Sequence, residues 1–404
     1  MAEEGSNPLE SLIYNNECME PTEPPFHETS GPHPTFDDIV ACQFSNWYSI
    51  FSNLPEGSKR KNVTIPSIIL SSLPDQFLDY LLSDGVLLPQ DATQLSSLAA
   101  FPERNNGDDD SDAWSSADGK DNNHGGEKTY GNNNNDDDDD DDDLDSSHEI
   151  PGNPQQFSFP DLNQQILRAI NDLGGSVMPK LNWSSPRDAT WVHGGSLKCQ
   201  TPGDVYLLLK SSDFCLHDIL HAFDDSTSAT TESSIQPTRP PTQLVLRKWC
   251  NLYPSMEFRC FVRQDELLAI SQRNHSQHYP HLAIDMTWIQ TRILDFFYNT
   301  IQHIYAHDAI HNYVMDVYLD KKQRVWLVDF NVWGRSTDPL LFEWSELISL
   351  DMEDDPYFRI VDTPHQIRQD PLASYRAPID TVDLANLTGG ASTQFQEFMD
   401  QCQR

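Results

Sequence analysis

Three oxygen-bearing side chains within residues 313–334 have the types and spacing of a metal-binding set. Both halves of this segment alternate and are rich in Val, Tyr, Trp and Phe, and the polar residues 320–323 favour a chain reversal, so the segment predicts a β-hairpin. Because side chains repeat every two residues along a strand, we expect Asp316, Asp329 and Asn331 on one face. Carboxylate and amide oxygens are the ligands that a hard cation prefers, so the hairpin predicts a magnesium site.

If the turn has two or four residues, Leu319 and Arg324 or their neighbours pair, and Asp316 then lies opposite Leu327, with Asp329 further along the same face. An alternative is that Asp329 simply ends its strand and that Asp316 is a tolerated polar residue on a hydrated sheet face. The sequence favours the metal site, because both acids stand inside apolar runs, VMDVY and WLVDF. A buried carboxylate without a partner or a metal is too costly to keep.

A lysine and a loop of small residues follow a short predicted strand over residues 176–178. Lys180 leaves the end of that strand, and Gly194, Gly195 and Ser196 form the loop. A lysine can neutralise a phosphate as a point charge, and the backbone amides of a Gly/Ser loop can donate to phosphate oxygens. A structural turn is the alternative, since HGGS is not a P-loop sequence.

Charged side chains interrupt three further predicted strands. These strands cover residues 244–249, 257–262 and 267–273. Arginines in strands are either surface residues of an open sheet or ligands for an anion. One acid among three arginines predicts a lining for a polyphosphate and its ribose. The four residues are Arg247, Glu257, Arg259 and Arg273.

The composition excludes several classes of protein. With 404 residues, 37% of them apolar and 10% aromatic, the chain can bury one or two cores. A formal charge of −37 argues against direct nucleic-acid binding and favours a basic partner surface. The seven cysteines have no C-x-x-C spacing, the N-terminus has no apolar signal region, and no apolar run is long enough to span a bilayer. We therefore expect a cytoplasmic protein with reduced thiols and no membrane contact.

Shifts in composition divide the chain into seven predicted segments. One of them contains eight consecutive aspartates and cannot form a core. The division is a flexible N-terminal segment (1–33), an N-terminal helical part (34–104), an Asp/Asn-rich disordered insertion (105–150), a lysine/loop subdomain (151–221), a disordered loop (222–242), a nucleotide- and metal-binding subdomain (243–350) and an acidic C-terminal tail (351–404).

Helical periodicity predicts six helices. They begin at Thr35, after Pro74, near Asp161 and at Thr201, and two more cover residues 287–306 and 337–349. Five histidines could form a zinc site, but ordinary surface histidines are the favoured interpretation because no cysteine is suitably spaced. The histidines are His275, His278, His281, His303 and His307.

The order of these features resembles the nucleotide site of the ATP-grasp superfamily. There, a lysine and a flexible loop cover the phosphates, a connecting segment holds adenine through its backbone, an acid binds ribose, and two acids with an asparagine bind magnesium. The resemblance implies ATP and Mg²⁺ as cofactors. It also implies an α+β, ATP-grasp-like fold in which two α+β subdomains with antiparallel sheets enclose a nucleotide cleft.

The matching positions follow that order along the chain. They are Lys180 with the loop residues Gly195 and Ser196 for the phosphates, Arg247, Lys248, Trp249 and Cys250 for adenine, Glu257 for ribose, and Asp316, Asp329 and Asn331 for the metal. Arg259 and Arg273, from the charged strands, are expected to neutralise phosphates as well. One departure is Arg247, which stands where many ATP-grasp ligases have an acid.

Longer motifs resemble the eukaryotic cell division cycle protein 123 family. They are PKLNWSSPRDATW, KSSDF, LVLRKWCNLYPSMEFRCFV, ISQRN and VDFNVWG, and the resemblance covers most of residues 34–380. It implies an ATP-binding assembly chaperone rather than an enzyme, which binds the γ subunit of translation initiation factor 2 as a monomer. An ATP-grasp ligase that forms an acyl phosphate is the alternative. A two-metal nuclease or nucleotidyl transferase conflicts with the negative charge.

Overall fold

The structure is a computed structural model that describes residues 31–52, 62–92, 157–227, 238–302, 304–305, 310–352, 355–370 and 372–375. Several predictions fall outside these residues. They concern the insertion (105–150), nearly all of the N-terminal segment, the middle of the loop over residues 222–242, the end of the tail, and His303 and His307.

Eight strands and eight α-helices make up the described part of the chain. The strands are β1 (Ser67–Leu70), β2 (Val177–Lys180), β3 (Leu244–Lys248), β4 (Glu257–Arg263), β5 (Glu266–Gln272), β6 (Tyr313–Leu319), β7 (Val325–Val332) and β8 (Tyr357–Arg359). The helices are α1 (Phe36–Ala41), α2 (Phe44–Ser52), α3 (Asp75–Leu82), α4 (Pro160–Asp172), α5 (Pro202–Lys210), α6 (Asp213–Leu220), α7 (Pro280–Phe296) and α8 (Trp344–Ser349).

The strands form two sheets. The smaller sheet has the order β1-β3-β2 and is antiparallel. The larger sheet has the order β7-β6-β4-β5-β8, in which β8 pairs parallel with β5 and the other described pairs are antiparallel. The predicted α+β class is confirmed, with β8 as a parallel addition at one edge. The first strand expected in the segment 243–350, β3, lies in the smaller sheet beside β2.

The sequence predicts neither β1 nor β8. β1 has the sequence SIIL, which does not alternate, and β8 has three residues within the segment expected to be an acidic tail. Both are edge strands that pair along one side, β1 with β3 and β8 with β5. Short edge strands leave a weak local signal because their stability comes from the strand beside them.

The helix predicted to begin at Thr35 is in fact two helices, α1 and α2. Thr35 caps α1 as expected, and its N–H donates to the Asp38 carboxylate at 2.8 Å in a capping box. The helix α1 ends at Ala41, and α2 begins at Phe44. The Phe44 N–H donates to the Asn182 carbonyl at 2.9 Å. A contact from a distant segment therefore ends a helical pattern that the local spacing continues. The cap predicted at Thr201 does start α5.

Two other predicted helices have different bounds. α7 begins at Pro280 rather than Thr287, and at Phe296 it passes into a π-helical turn. α8 begins only at Trp344, because Leu340 adopts a left-handed φ of 58° just before it. In the residues that the structure describes, no helix combines the length and the apolar character needed to cross a membrane.

The apolar cores leave one charged surface between the sheets. One core packs α7 against Phe258 and its neighbours on one face of the larger sheet. Another surrounds the smaller sheet and includes Ile166 of α4 and Leu208 of α5. Because successive strand residues point to opposite faces, Arg259 and Asp316 point away from the first core. The candidate site lies on this face.

Candidate functional site

A five-residue turn closes the β6–β7 hairpin. Leu319 pairs with Val325, and the Asp320 N–H donates to the Arg324 carbonyl at 2.9 Å. The Asp320 carboxylate in turn accepts from the Arg324 N–H at 2.9 Å and from the Trp326 indole at 3.0 Å. The turn is longer than the two or four residues expected from the sequence, so the pairing of the two strands is shifted by one residue.

A β-bulge then places the two acids directly opposite each other. Val317 pairs with Leu327, but the next pair is Asp316 with Asp329, so the predicted pairing of Asp316 with Leu327 is wrong. Without the bulge, Asp316 would pair with Val328, and Asp329 would lie on the opposite face of the sheet. The bulge supplies the extra residue that returns Asp329 to the face of Asp316.

Asp316 is almost fully buried, and its carboxylate is surrounded by donors. Arg259, its partner on β4, donates from Nε at 2.8 Å and from Nη2 at 2.9 Å. Arg273 Nε lies 3.2 Å from Oδ2, and the Asn331 amide donates to the same oxygen at 3.4 Å. Burial alone would raise the pKa of Asp316, but attraction to Arg259 and Arg273 outweighs burial and holds that pKa far below its usual value.

Lys180 joins the two sheets. It is the last residue of β2, it is 2% exposed, and its Nζ donates to Oδ2 of Asp329 on β7 at 2.7 Å. It also donates to the Trp183 carbonyl. Asp218 holds this loop, because its carboxylate accepts from the N–H groups of Trp183 at 3.0 Å and Ser184 at 2.6 Å. The lysine charge is therefore fixed at the junction of the sheets.

Glu257 and Arg273 lie at the edge of this junction, and both side chains are partly exposed. Arg273 Nε is 3.9 Å from Oε2 of Glu257, and the Arg273 N–H donates to the Glu257 carbonyl at 3.0 Å. Together with the Arg259–Asp316 pair they place opposite charges side by side on one sheet face. Such a face can bind an anionic group through the arginines and a hydroxyl through the acid.

Arg187 also reaches this cluster, although the sequence analysis assigned it no role. Repulsion from Arg273 is the main cause that lowers the Arg187 pKa from its usual value to about 10, followed by burial of the guanidinium. Arg187 as a whole residue is exposed. The arginine in PRDATW follows Lys180 closely, which was the signal available in the sequence.

Arg247 is enclosed, not displayed on a surface. It is 3% exposed, and its guanidinium carbon lies 5.5 Å from the centroid of the Phe44 ring. Burial lowers its pKa, and attraction to Asp329 opposes that effect. Its Nε has no hydrogen-bond partner among the described residues. Arg247 therefore contributes a buried positive charge near Asp329.

The peptide groups expected to hold adenine are partly used by the protein. The Lys248 N–H donates to the Pro66 carbonyl at 2.8 Å, and the Trp249 N–H donates to the Ser176 carbonyl at 3.0 Å. Cys250 follows them and is partly buried, and burial raises the pKa of its thiol. Two of the amides expected to hold adenine are therefore engaged within the protein, and the adenine contact stays a prediction.

The amides of the predicted phosphate loop are also engaged. Gly195 has a left-handed φ of 77°, and its N–H donates to the Thr190 carbonyl at 2.8 Å. The Ser196 N–H donates to the His193 carbonyl at 3.2 Å. Within the described ranges no hydrogen bond joins this loop to Lys180. The structure therefore brings Lys180 to the charge cluster and leaves Gly195 and Ser196 in a self-contained turn.

The predicted metal ligands fit a hard cation by donor type. Asp329 and Asn331 offer oxygens beside Asp316, and Mg²⁺ prefers oxygen ligands. Asp316 fits least well, because both of its oxygens already accept from Arg259. The part of the chain that the structure describes contains no group of three or more His, Cys, Asp or Glu side chains placed to hold a metal ion. The set of two carboxylates and one amide stays a prediction, and His275 is buried rather than a surface residue.

Comparison with known proteins gives consistent matches over most of the chain. The model of the D123 family matches residues 57–385. A Xenopus tropicalis protein named translation initiation factor eIF2 assembly protein is 35% identical over 372 residues, which cover 90% of this chain and 96% of the relative. A Phaeosphaeria nodorum protein named cell division cycle protein 123 is 40% identical over 297 residues, which cover 73% of this chain and 68% of the relative.

A solved structure supports the same assignment. Cdc123 from Schizosaccharomyces pombe is 30% identical, with a TM-score of 0.56 over 80% of this chain and 97% of that chain. The predicted α+β class with two sheets is therefore confirmed. The family that the motifs indicated is confirmed as well, and this chain belongs to the D123, or cell division cycle protein 123, family.

Proposed function

We propose that this chain binds one Mg-ATP between its two sheets and acts as an assembly chaperone for translation initiation factor 2. The observation that carries nucleotide binding is the charge cluster at the junction of the sheets, where cations outnumber acids in a chain of net charge −37. The cations are Lys180, Arg187, Arg247, Arg259 and Arg273, and the acids are Glu257, Asp316 and Asp329.

Each group has a definite role in the proposed site. Lys180, Arg259 and Arg273 neutralise phosphates, Glu257 accepts from the ribose hydroxyls, and Trp249 and Cys250 line the adenine position. Asp316, Asp329 and Asn331 hold Mg²⁺. Bound Mg²⁺ and the basic side chains would together balance the negative charge of the triphosphate. The Asp329 carboxylate would be shared between Lys180 and the metal, because one of its oxygens accepts from that lysine at 2.7 Å.

Titration calorimetry with Mg-ATP tests the site. Wild-type protein is expected to bind with one-to-one stoichiometry, and Asp329→Ala is expected to bind roughly tenfold more weakly or worse, because a charge-assisted ligand is lost. Asp172→Ala is the matched control, since it removes an exposed acid from α4. Equal affinity of Asp329→Ala and wild type would show that the hairpin does not bind the metal.

The proposed partner is the γ subunit of translation initiation factor 2, whose joining to the α subunit the chain would promote. Relatives that carry the name of an eIF2 assembly protein support this proposal. The net charge of −37 supports a protein partner with a basic surface and argues against direct contact with nucleic acid. We further propose that the chain acts as a monomer in the cytoplasm.

Pull-down of the purified γ subunit tests the partner. We expect the intact chain to capture the γ subunit with Mg-ATP at low salt. Absence of capture under those conditions would contradict the proposed partner. Measurement of ADP formation separates the chaperone from an ATP-grasp ligase. A chaperone should hydrolyse ATP slowly or not at all, whereas rapid turnover that depends on a small acid and an amine would identify a ligase.

A further inference from the structure

The outer face of α7 exposes a large apolar side chain beside a groove. Ile284 is 84% exposed, the largest fraction among the exposed large apolar side chains of the described residues. Trp288 and Thr291 follow it along the same face of the helix. With Arg292 and with Gln323 from the hairpin turn, they line a groove of about 450 Å³, which we call the α7 groove. An apolar groove with a polar rim is typical of a binding surface.

The rim of the α7 groove is basic. Arg292 donates from Nη2 to the Gln323 side chain at 3.3 Å, so the groove borders the turn between β6 and β7. Asp320, the acid of that turn, already accepts from the Lys322 N–H and from Arg324 Nε, each at 2.8 Å. Bases therefore outnumber acids here, although acids outnumber bases by 63 to 26 in the whole chain. The bases are Arg292, Lys321, Lys322 and Arg324, and the acids are Asp285, Asp295 and Asp320.

A ligand that fits this groove combines apolar and acidic side chains at short spacing. Residues 391–402 of the chain have this combination, and they lie outside the described residues. Their apolar side chains have the i, i+3, i+4 spacing that would share one face of a helix. The apolar residues are Phe395, Phe398 and Met399, and the acids are Glu397 and Asp400.

The chain passes beside α7 before it reaches residues 391–402. Gln290 of α7 donates to the Pro356 carbonyl at 3.2 Å. The Arg368 N–H donates to the carbonyl of His275, which lies shortly before the first residue of α7, at 3.1 Å. From Tyr375, the last described residue, the chain to residue 395 can extend over about 65 Å. The α7 groove is therefore within reach.

Residues 1–30 also contain apolar and acidic side chains, but they join the fold at a different place. The Arg335 N–H donates to the Pro32 carbonyl at 3.1 Å, just after β7 ends at Val332. Gln323 lies just before β7 begins, so the length of this strand, roughly 26 Å, separates the two places. Residues 391–402 are therefore the better-placed occupant.

We propose that residues 391–402 dock in the α7 groove of their own chain. The two phenylalanines cover Ile284 and Trp288, and the two acids pair with the bases of the rim. This contact excludes acidic segments of other proteins from the same surface. The inference depends neither on nucleotide binding nor on the γ subunit, because the groove lies on a different surface from the charge cluster.

Carbodiimide cross-linking of the full chain, followed by mass spectrometry, tests this contact. The reagent joins an ammonium group directly to a carboxylate, so docking should give cross-links from Lys321 or Lys322 to the acids of residues 391–402. Ile284→Glu should lose these cross-links. The matched control is Ile348→Glu, which changes an isoleucine of α8 that is 49% exposed, and it should keep them.

Three outcomes of the cross-linking would overturn the proposal. They are absence of these cross-links in wild type, an equal yield in Ile284→Glu, and cross-links to the acids of residues 1–30 in their place. Mixing of light and heavy isotope-labelled chains separates contacts within one chain from contacts between two copies. Cross-links found only between copies would assign the groove to a second chain and would also contradict the proposal.

Binding of a labelled peptide of residues 391–402 distinguishes this occupant from a partner protein. A tethered segment acts at an effective concentration of about 1 mM, so a peptide with a Kd of about 0.1 mM should bind wild type roughly tenfold more weakly than the full-length variant Phe395→Ser/Phe398→Ser. A peptide with the same two serines is the control and should bind neither protein. Equal affinity for wild type and variant would show that the groove is open to an acidic segment of another protein. That result, or absence of binding to the variant, would overturn the proposal.

Discussion

Asp316 and Arg259 form a buried ion pair in which each side chain is less than a tenth exposed. Burial of two charges costs several kcal/mol for each ion, and close geometry with extra hydrogen bonds must offset this cost. Arg259 meets that requirement with two bonds to Asp316 and a third, at 2.7 Å, to the Asp338 carbonyl. The Arg259–Asp316 pair therefore belongs both to the buried structure of the fold and to the candidate site.

Asp316→Asn should destabilise the protein by about 3 kcal/mol, because it leaves the buried Arg259 charge without compensation. Urea unfolding measures this change in the free energy of unfolding. The double variant Asp316→Leu/Arg259→Met should recover much of the loss, since neither charge then remains. A loss below about 1 kcal/mol in the single variant would contradict the interpretation of Asp316 as a buried charge, since exposed ion pairs have effects of that size.

The depressed pKa of Asp316 also makes stability depend on pH. The unfolded carboxyl has a pKa of about 3.9, and the folded pKa lies far lower. Because the folded pKa is the depressed one, the contribution of Asp316 is complete well above pH 4 and is lost as the pH falls below about 4. Urea unfolding can be measured from about pH 6 to about pH 3. The free energy of unfolding should fall more steeply with falling pH for wild type than for Asp316→Asn. Parallel curves would contradict this prediction.

Among the elements, the end of β2 and the middle of β7 form a contact that links the two sheets. Lys180 Nζ pairs with Asp329 across that junction, and the bulge in the β6–β7 hairpin is what turns Asp329 towards it. The same lysine is expected to bind phosphate and the same carboxylate is expected to bind Mg²⁺. Each ligand therefore has to share or replace one half of an existing ion pair.

This arrangement predicts opposite effects of one substitution with and without metal. In EDTA, Asp329→Asn should bind metal-free ATP severalfold more tightly than wild type, because Lys180 is released from its ion pair and a repulsive carboxylate is gone. With Mg²⁺ the same variant should bind more weakly, because a metal ligand is lost. Calorimetry in the two buffers measures both effects. Weaker binding under both conditions would show that the ion pair does not compete with the nucleotide.

For the whole molecule, the net charge of −37 contrasts with the cationic cluster between the sheets. Residues 105–150 carry a large part of the negative charge and lie outside the described residues. A long-range field of this sign would steer the chain towards a basic protein surface. Attraction at that range is screened by salt, with a Debye length of about 10 Å at 0.1 M.

Deletion of residues 105–149 should therefore leave the Tm and the affinity for Mg-ATP within error of wild type. Capture of the γ subunit should persist, while the salt dependence of its association rate becomes weaker because part of the steering charge is removed. Surface binding kinetics at several salt concentrations measures that slope. A large fall in Tm after the deletion would show that these residues contribute to the packed structure.

The amino-acid sequence by itself determined the types of the site residues and most of the central strands. Alternation and β-branched or aromatic composition are local properties, so they mark β3 to β7 without knowledge of the fold. The family was readable for the same reason, because long motifs such as LVLRKWCNLYPSMEFRCFV are contiguous in the chain. The helix starts predicted at Thr35 and Thr201 depend on local sequence too, and each threonine is the N-cap of its helix.

Only the tertiary structure decided which of these residues meet. The Asp316–Asp329 pairing depends on a bulge whose single extra residue leaves no clear local signal, and a shift of one residue reverses the face of every side chain. Lys180 and Asp329 come from different sheets, and Asp188 ties the segment after β2 to the start of α6. Whether the amides of Lys248 and Gly195 are free depends on carbonyls that packing places beside them. Contacts of this kind join residues far apart in the chain, so the free energy that selects them arises only when the packed structure forms.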